Sequence, residues 1–109
     1  MKIPGDAIVP EDKITRYLLV PKARNDKSKF LAQAGFTAEN PEDLRAAIGE
    51  IIATGEAVED RRNEYGAFYQ VAGELVGVNG TNLPVTTVWL KREIDGKFQF
   101  VTLKPFKET

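Results

Sequence analysis

Histidine and cysteine are both absent from the 109 residues of this chain, and this limits the chemistry of its side chains. Ser-His-Asp and Cys-His catalysis, zinc sites and disulfide bonds are therefore excluded. The sixteen carboxylates follow no calcium-loop spacing, so we expect neither a metal nor any other cofactor. Acid–base chemistry would have to use lysine, arginine, tyrosine or carboxylate groups whose pKa values are strongly shifted.

The basic residues are concentrated near the N-terminus. Residues 13–30 contain six basic residues and one acid, whereas residues 39–60 contain seven acids and one base. The formal net charge is nevertheless −1, so no bulk field draws the protein to nucleic acid or to an anionic membrane. The basic segment is either ordinary solvated surface or part of a phosphate-binding groove.

Three helices are predicted in the first half of a single domain that spans residues 1–109, after an N-terminal arm over residues 1–9. Their predicted ranges are 10–19, 27–34 and 41–54, the last ended by Gly55. The third is the clearest, because Asn40 suits the N-cap and Pro41 suits the first helical position. Its apolar residues recur at helical spacing and form one stripe: Leu44, Ala47, Ile48, Ile51 and Ile52.

The second half of the chain changes to a period of two, which indicates β-strands. Turn signals at residues 63–66, 79–80 and 95–96 divide residues 58–103 into four strands. Helices followed by a four-stranded antiparallel meander predict an α+β fold with the helices packed on the sheet.

The last hairpin gives a specific prediction of the two sheet faces. With Asp95-Gly96 as a two-residue loop, one face is aliphatic and is expected to form the core with the helical stripe. Its members are Val88, Leu90, Val101 and Leu103. The opposite face is then the outer face of the sheet, where we expect binding. It carries Thr87, Trp89, Lys91, Phe98, Phe100 and Thr102.

Two other interpretations of that mixed face remain open. The N-terminal arm and the first helix, with Ile8, Tyr17 and Leu18, could cover the aromatic residues and make them core. A second copy of the chain could also cover them.

Several segments together resemble family 6883 of bacterial domains of unknown function. They are Lys13-Ile14-Thr15-Arg16-Tyr17-Leu18-Leu19, Lys27-Ser28-Lys29-Phe30 running to Gly35-Phe36, Glu64-Tyr65-Gly66 with Tyr69 and Val71, Leu75 to Gly80, Val85 to Leu90, and Phe100-Val101-Thr102. The resemblance covers most of residues 10–105. Related domains look like toxin modules of the RelE/barnase-like ribonuclease group, which implies catalytic roles for Lys29, for Thr86 or Thr87, and for Thr102. Family members often carry arginine just before the Thr-Val-Trp stretch, and Thr86 stands there instead.

Two functions follow as hypotheses. The first is a non-catalytic module that binds a protein partner or itself through the outer sheet face. The second is a metal-independent ribonuclease of toxin type, with phosphates held by Lys22, Lys29 and Arg92 and the scissile region held by Thr87 and Thr102. The N-terminus has no apolar segment typical of a signal peptide or a membrane span, so we expect a cytoplasmic protein without membrane contact.

Overall fold

A computed structural model describes residues 1–20 and 27–106. A π-helix, Lys13–Leu18, and two α-helices precede four β-strands. The α-helices are α1, Ser28–Ala32, and α2, Pro41–Thr54; the strands are β1, Ala57–Asn63, β2, Gly66–Val76, β3, Asn82–Arg92, and β4, Phe98–Pro105. The strands pair antiparallel in the order β1-β2-β3-β4, which confirms the predicted α+β meander. No helix in the described ranges has both the length and the apolar character needed to cross a bilayer.

Helix α2 begins and ends where its sequence predicts, and its apolar stripe faces the sheet. Leu44, Ala47, Ile48, Ile51 and Ile52 are all buried. The Asn40 side chain does not cap the helix but bonds backward, its Oδ1 accepting from the Thr37 N–H at 2.7 Å and its Nδ2 donating to the Gly35 carbonyl at 2.8 Å. Asn40 therefore fixes the α1–α2 connection rather than the first turn of α2.

The N-terminal arm spans the sheet from one edge strand to the other. The Met1 carbonyl accepts a hydrogen bond from the Ala57 N–H of β1 at 2.7 Å. Ile8 pairs beside β4, donating to the Phe98 carbonyl and accepting from the Phe100 N–H, both at 2.8 Å. Since unpaired edge strands invite association, these bonds protect part of both edges.

The loop between β3 and β4 is longer than the predicted two residues. The Arg92 N–H donates to the Lys97 carbonyl at 2.8 Å, and the Gly96 N–H returns to the Arg92 carbonyl at 2.7 Å. Gly96 takes a positive φ of 71°, which a side chain would strain. Leu90 consequently pairs with Gln99, not with Val101.

The prediction of which sheet face forms the core is wrong. Trp89, Phe98 and Phe100 do share one face, but that face packs against the helices and the arm in a single buried cluster. Val88, Leu90 and Val101, predicted as core, are only half-buried on the other side. Leu103 is buried as predicted, because an irregularity in β4 lets it pair with Thr87 while Val88 pairs with Thr102.

Candidate functional site

The aromatic residues predicted to bind a partner lie inside the protein. Trp89 and Phe100 are fully buried and Phe98 is 5% exposed. The Trp89 and Phe100 rings meet edge to face at 5.3 Å, and the Tyr69 and Phe98 rings do so at 5.4 Å. This geometry is typical of packed cores. The arm and the first helix do pack on these residues, but they share one core cluster with α2 and form no third layer on a separate face.

Thr87 has a structural environment that leaves no access to a substrate. It is fully buried, and its hydroxyl donates to the Val71 carbonyl at 2.9 Å. The same oxygen accepts the indole N–H of Trp89, also at 2.9 Å. Because the hydroxyl is occupied in both directions, the hypothesis that Thr87 contacts a scissile bond has no support in this geometry.

Lys29 and Arg92, the two described residues among those predicted to hold phosphates, are not brought together. Lys29 is exposed on α1, whereas Arg92 lies near the β3–β4 loop and forms an ion pair with Asp95 at 3.1 Å. Lys91 is exposed, with its Nζ 6.0 Å from the centroid of the Phe98 ring. Lys22 lies outside the described residues. No groove formed by Lys29, Arg92 and Thr87 exists.

The face of the sheet opposite the helices carries apolar side chains that are partly open to solvent. The register places Phe68 beside Leu90, and Gln70 between Val58 and Val88. We call this surface the open face and define it by its outward residues in the four strands: Val58, Phe68, Gln70, Ala72, Thr86, Val88, Leu90, Gln99 and Thr102.

Two shallow grooves lie on the open face or at its border. One, of about 490 Å³, lies at the hairpin end and is lined by Tyr65, Leu90, Ile94 and Gln99 among others. The second, of about 500 Å³, contains Val58 and extends to Phe106. Tyr65, Ile94 and Phe106 are exposed large hydrophobic side chains, so the apolar surface continues past the strands.

A polar cluster surrounds Tyr17 at the edge of β4. Its phenol oxygen is 3.3 Å from Thr102 Oγ1 and accepts a hydrogen bond from Lys27 Nζ at 3.3 Å. Lys13 Nζ lies 5.3 Å from the centroid of the same ring. We call Lys13, Tyr17, Lys27 and Thr102 the Tyr17 cluster. In the part of the chain described, no group of carboxylates is arranged to hold a metal ion.

The open face was missed because the two faces of β3 are both apolar. The signal that distinguishes them is in β2, where Gln70 and Glu74 alternate with Val71 and Leu75. Gln70 pairs with Val88, so the polar residues of β2 identify the side of β3 that faces water. The Tyr17 cluster has no such local signal, because its members lie on a π-helix, at the start of α1 and on β4.

These features define an α+β fold in which the described helices lie on one face of an antiparallel meander. Residues 4–107 match the family described as Domain of unknown function (DUF6883), and the chain belongs to that family.

No curated protein matches the sequence. Among solved structures, the chain is similar to one chain of a contact-dependent growth inhibition toxin–immunity protein complex from Klebsiella pneumoniae 342. The TM-score is 0.65 at 13% identity, over 94% of this chain and 96% of that chain. At this identity, the similarity of the two structures shows a shared fold and nothing further.

Proposed function

We propose that the protein is a non-catalytic binding module that associates with another protein through the open face. The observation that supports this most directly is the half-buried state of Phe68, Val88 and Leu90 on a sheet face that no helix of the described residues covers. A sheet with one face on the core usually carries polar residues on the other. Here the centre of the outward face carries Phe68, Val88 and Leu90 beside Gln70 instead.

The arrangement of side chains on the open face is that of a protein interface. Its centre is formed by apolar residues and the uncharged Gln70, whereas charged residues lie around it, including Arg61, Glu74 and Arg92. The Arg61 guanidinium stacks over the Phe68 ring at 4.9 Å. Depletion of charge at the centre and a polar rim distinguish interfaces from ordinary surface.

The strands of the open face supply more than half of the area that a standard interface buries on one partner. Strands lie about 4.8 Å apart and rise about 3.3 Å per residue, so four strands with two of eleven residues span roughly 500 Å² in plane. The relief of the side chains and the flanking grooves add to that area. A standard interface buries about 800 Å² on each partner.

The similar structure supports association with a second protein, since its title describes a toxin–immunity protein complex. From this similarity we propose only that the chain binds one protein partner, and we do not propose which protein that is. A second copy of this chain is the other occupant that the test distinguishes.

The experiment compares wild type with Leu90→Glu and with Val78→Glu. Val78 is an exposed valine in the β2–β3 loop, so it is a matched control outside the open face. Light scattering at micromolar concentration first determines whether wild type self-associates. If it is monomeric, wild type and both variants are used as bait in a lysate of the source cells. Partners retained by Val78→Glu and lost by Leu90→Glu support the proposal, whereas a monomer with no such partner contradicts it.

A metal-independent ribonuclease of toxin type is the second candidate. It is favoured by the fold shared with a chain of a growth-inhibition complex. Among the residues predicted for that activity that the structure describes, Thr102 alone has a neighbourhood suited to it, because it lies beside Tyr17 and Lys27. Growth arrest on expression, together with cleavage of RNA by the purified protein in the presence of EDTA, would favour this function over the binding module.

A further inference from the structure

Two large apolar side chains project from the turns at the hairpin end of the sheet. Tyr65, in the β1–β2 turn, is 66% exposed, and Ile94, in the β3–β4 loop, is 86% exposed. No other large hydrophobic side chain in the described ranges is as exposed as Ile94. Turns are formed mainly by glycine, proline, asparagine, aspartate and serine, so the turn itself does not require an isoleucine. Because both side chains line one groove, they form a patch and not scattered single residues.

Hydrogen bonds hold both turns, so Tyr65 and Ile94 are presented on an ordered backbone. The Tyr65 N–H donates to Asn63 Oδ1 at 2.8 Å, and the Tyr65 carbonyl accepts from the Glu93 N–H of the neighbouring loop at 3.0 Å. The loop that carries Ile94 is closed by the two backbone hydrogen bonds and the ion pair described above. An anchor on an ordered backbone loses less conformational entropy on binding than one on a mobile loop.

The groove between these turns continues the open face. It is the groove of about 490 Å³ described above, and we call it the hairpin groove. Leu90 and Gln99, which belong to the open face, line it together with Tyr65 and Ile94. Binding hot spots are enriched in tyrosine and are found in pockets that a partner desolvates completely. The hairpin groove is therefore the part of the surface best suited to receive a side chain of a partner.

The rim of the hairpin groove carries negative charge. Glu64 and Glu93 line the groove, and neither forms an ion pair within the described ranges. Arg92 also lines it, but the Arg92 guanidinium is already paired with the Asp95 carboxylate at 3.1 Å. The charge that a partner meets at the groove is therefore set by the two glutamates. Opposite charge on the partner steers encounter and disfavours acidic competitors.

Two further cations lie near Glu93 but do not line the hairpin groove. Arg62 and Lys91 line with Glu93 a separate cavity of about 230 Å³. Neither of them comes within ion-pair distance of the Glu93 carboxylate. Glu64 does not line that cavity, so its charge is directed to the hairpin groove alone.

We propose that the hairpin groove anchors the protein partner of the open face, and that this partner contributes a large apolar side chain flanked by lysine or arginine. The apolar side chain contacts Tyr65, Leu90 and Ile94, and the basic group neutralises Glu64 and Glu93. This inference rests on the proposed function, because the groove shares Leu90 with the open face. An acidic segment would place like charges together, and a purely polar segment would leave the apolar side chains in water.

The test selects random peptides displayed on phage against the immobilised protein and then measures the affinity of the enriched peptides by titration. We expect those peptides to carry an apolar residue beside lysine or arginine. Ile94→Ser should weaken their binding roughly tenfold. The double substitution Glu64→Gln and Glu93→Gln should weaken it roughly threefold and reduce its dependence on salt. The controls Val78→Ser, in the β2–β3 loop, and Glu50→Gln, on α2, change exposed residues elsewhere and should leave the affinity unchanged.

Leu90→Glu separates failure of this inference from failure of the proposed function. Basic and apolar peptides that lose affinity with Leu90→Glu, with Ile94→Ser and with the double glutamine variant support the inference. It is overturned, and binding through the open face stands, if the peptides depend on Leu90 but not on Ile94, if they carry no basic residue, or if the double variant binds them as tightly as wild type. If no enriched peptide depends on Leu90, the inference and the proposed function both fail.

Discussion

The indole N–H of Trp89 donates a hydrogen bond to the Thr87 hydroxyl two residues earlier on β3, at 2.9 Å and with both side chains fully buried. The Thr87 hydroxyl in turn donates a hydrogen bond to the Val71 carbonyl of the neighbouring strand. A buried polar atom that lacks a partner is costly, and in the described part of the chain no buried side-chain nitrogen or oxygen lacks one. Because these two hydrogen bonds satisfy the indole N–H and the threonine hydroxyl, both side chains can lie in the core.

Replacement of Thr87 by valine should therefore destabilise the protein. The valine keeps the shape of the side chain but leaves the Trp89 N–H without an acceptor, which costs about 1–3 kcal/mol. Thr86→Val is the matched control, because Thr86 is the adjacent threonine on the open face. It should change the free energy of unfolding by no more than about 0.5 kcal/mol. Urea unfolding monitored by circular dichroism measures both, and equal midpoints would contradict the role assigned to Thr87.

Trp89 also provides a direct optical test, because it is the sole tryptophan of the chain. Its complete burial predicts blue-shifted emission and poor quenching by iodide in the native state. The urea-unfolded chain serves as the fully accessible reference. Native quenching close to that of the unfolded chain would show that the helices and the arm do not cover this face.

The contact between Ile51 of α2 and Gly73 of β2 holds the helix on the sheet. Ile51 is 3% exposed, and Ile51→Ala should cost about 2–5 kcal/mol through lost burial and the remaining cavity. A methyl group added at Gly73 would lie 3.0 Å from Ile51 Cγ2, closer than side chains normally pack. Gly73→Ala should therefore be more favourable in the Ile51→Ala background, where that methyl has space. A double-mutant cycle measures this coupling, and strictly additive effects would show that the two residues are not in contact.

Helix α2 could be predicted from the sequence because its signals are local. Pro41 starts it, Gly55 follows it, and the stripe from Leu44 to Ile52 has a single clear orientation. The faces of β3 could not be assigned from its own hairpin, because Val88 and Leu90 are as apolar as their buried neighbours. The decision between them depends on which face the helices cover, and this is a non-local property of the chain.

The candidate site illustrates the same limit. The Tyr17–Thr102 contact joins residues 85 positions apart, and it depends on an irregularity in β4 that no turn signal marks. The basic character of residues 13–30 was visible in the sequence. Which of those lysines converge, and on which ring, could not be inferred without the packing of the π-helix against β4.

Alanine substitution of one leucine on each side of the sheet tests most directly which face is the core. Leu103 is fully buried, whereas Leu90 is half-buried on the open face. Leu103→Ala should therefore cost about 2–5 kcal/mol. Leu90→Ala should cost about 1 kcal/mol or less in the isolated protein, because its side chain is already partly hydrated. The comparison holds residue type and substitution constant, so the difference reports burial alone.

Chemical denaturation of both variants at the same pH and ionic strength provides the measurement. Circular dichroism of each variant before denaturation shows whether the fold is retained. A larger loss of stability for Leu90→Ala than for Leu103→Ala would reverse the two faces, placing Val88 and Leu90 in the core. The open face would then not exist as a binding surface. The expected order, with Leu103→Ala the more destabilised, leaves the apolar side chains of Phe68, Val88 and Leu90 available to a partner.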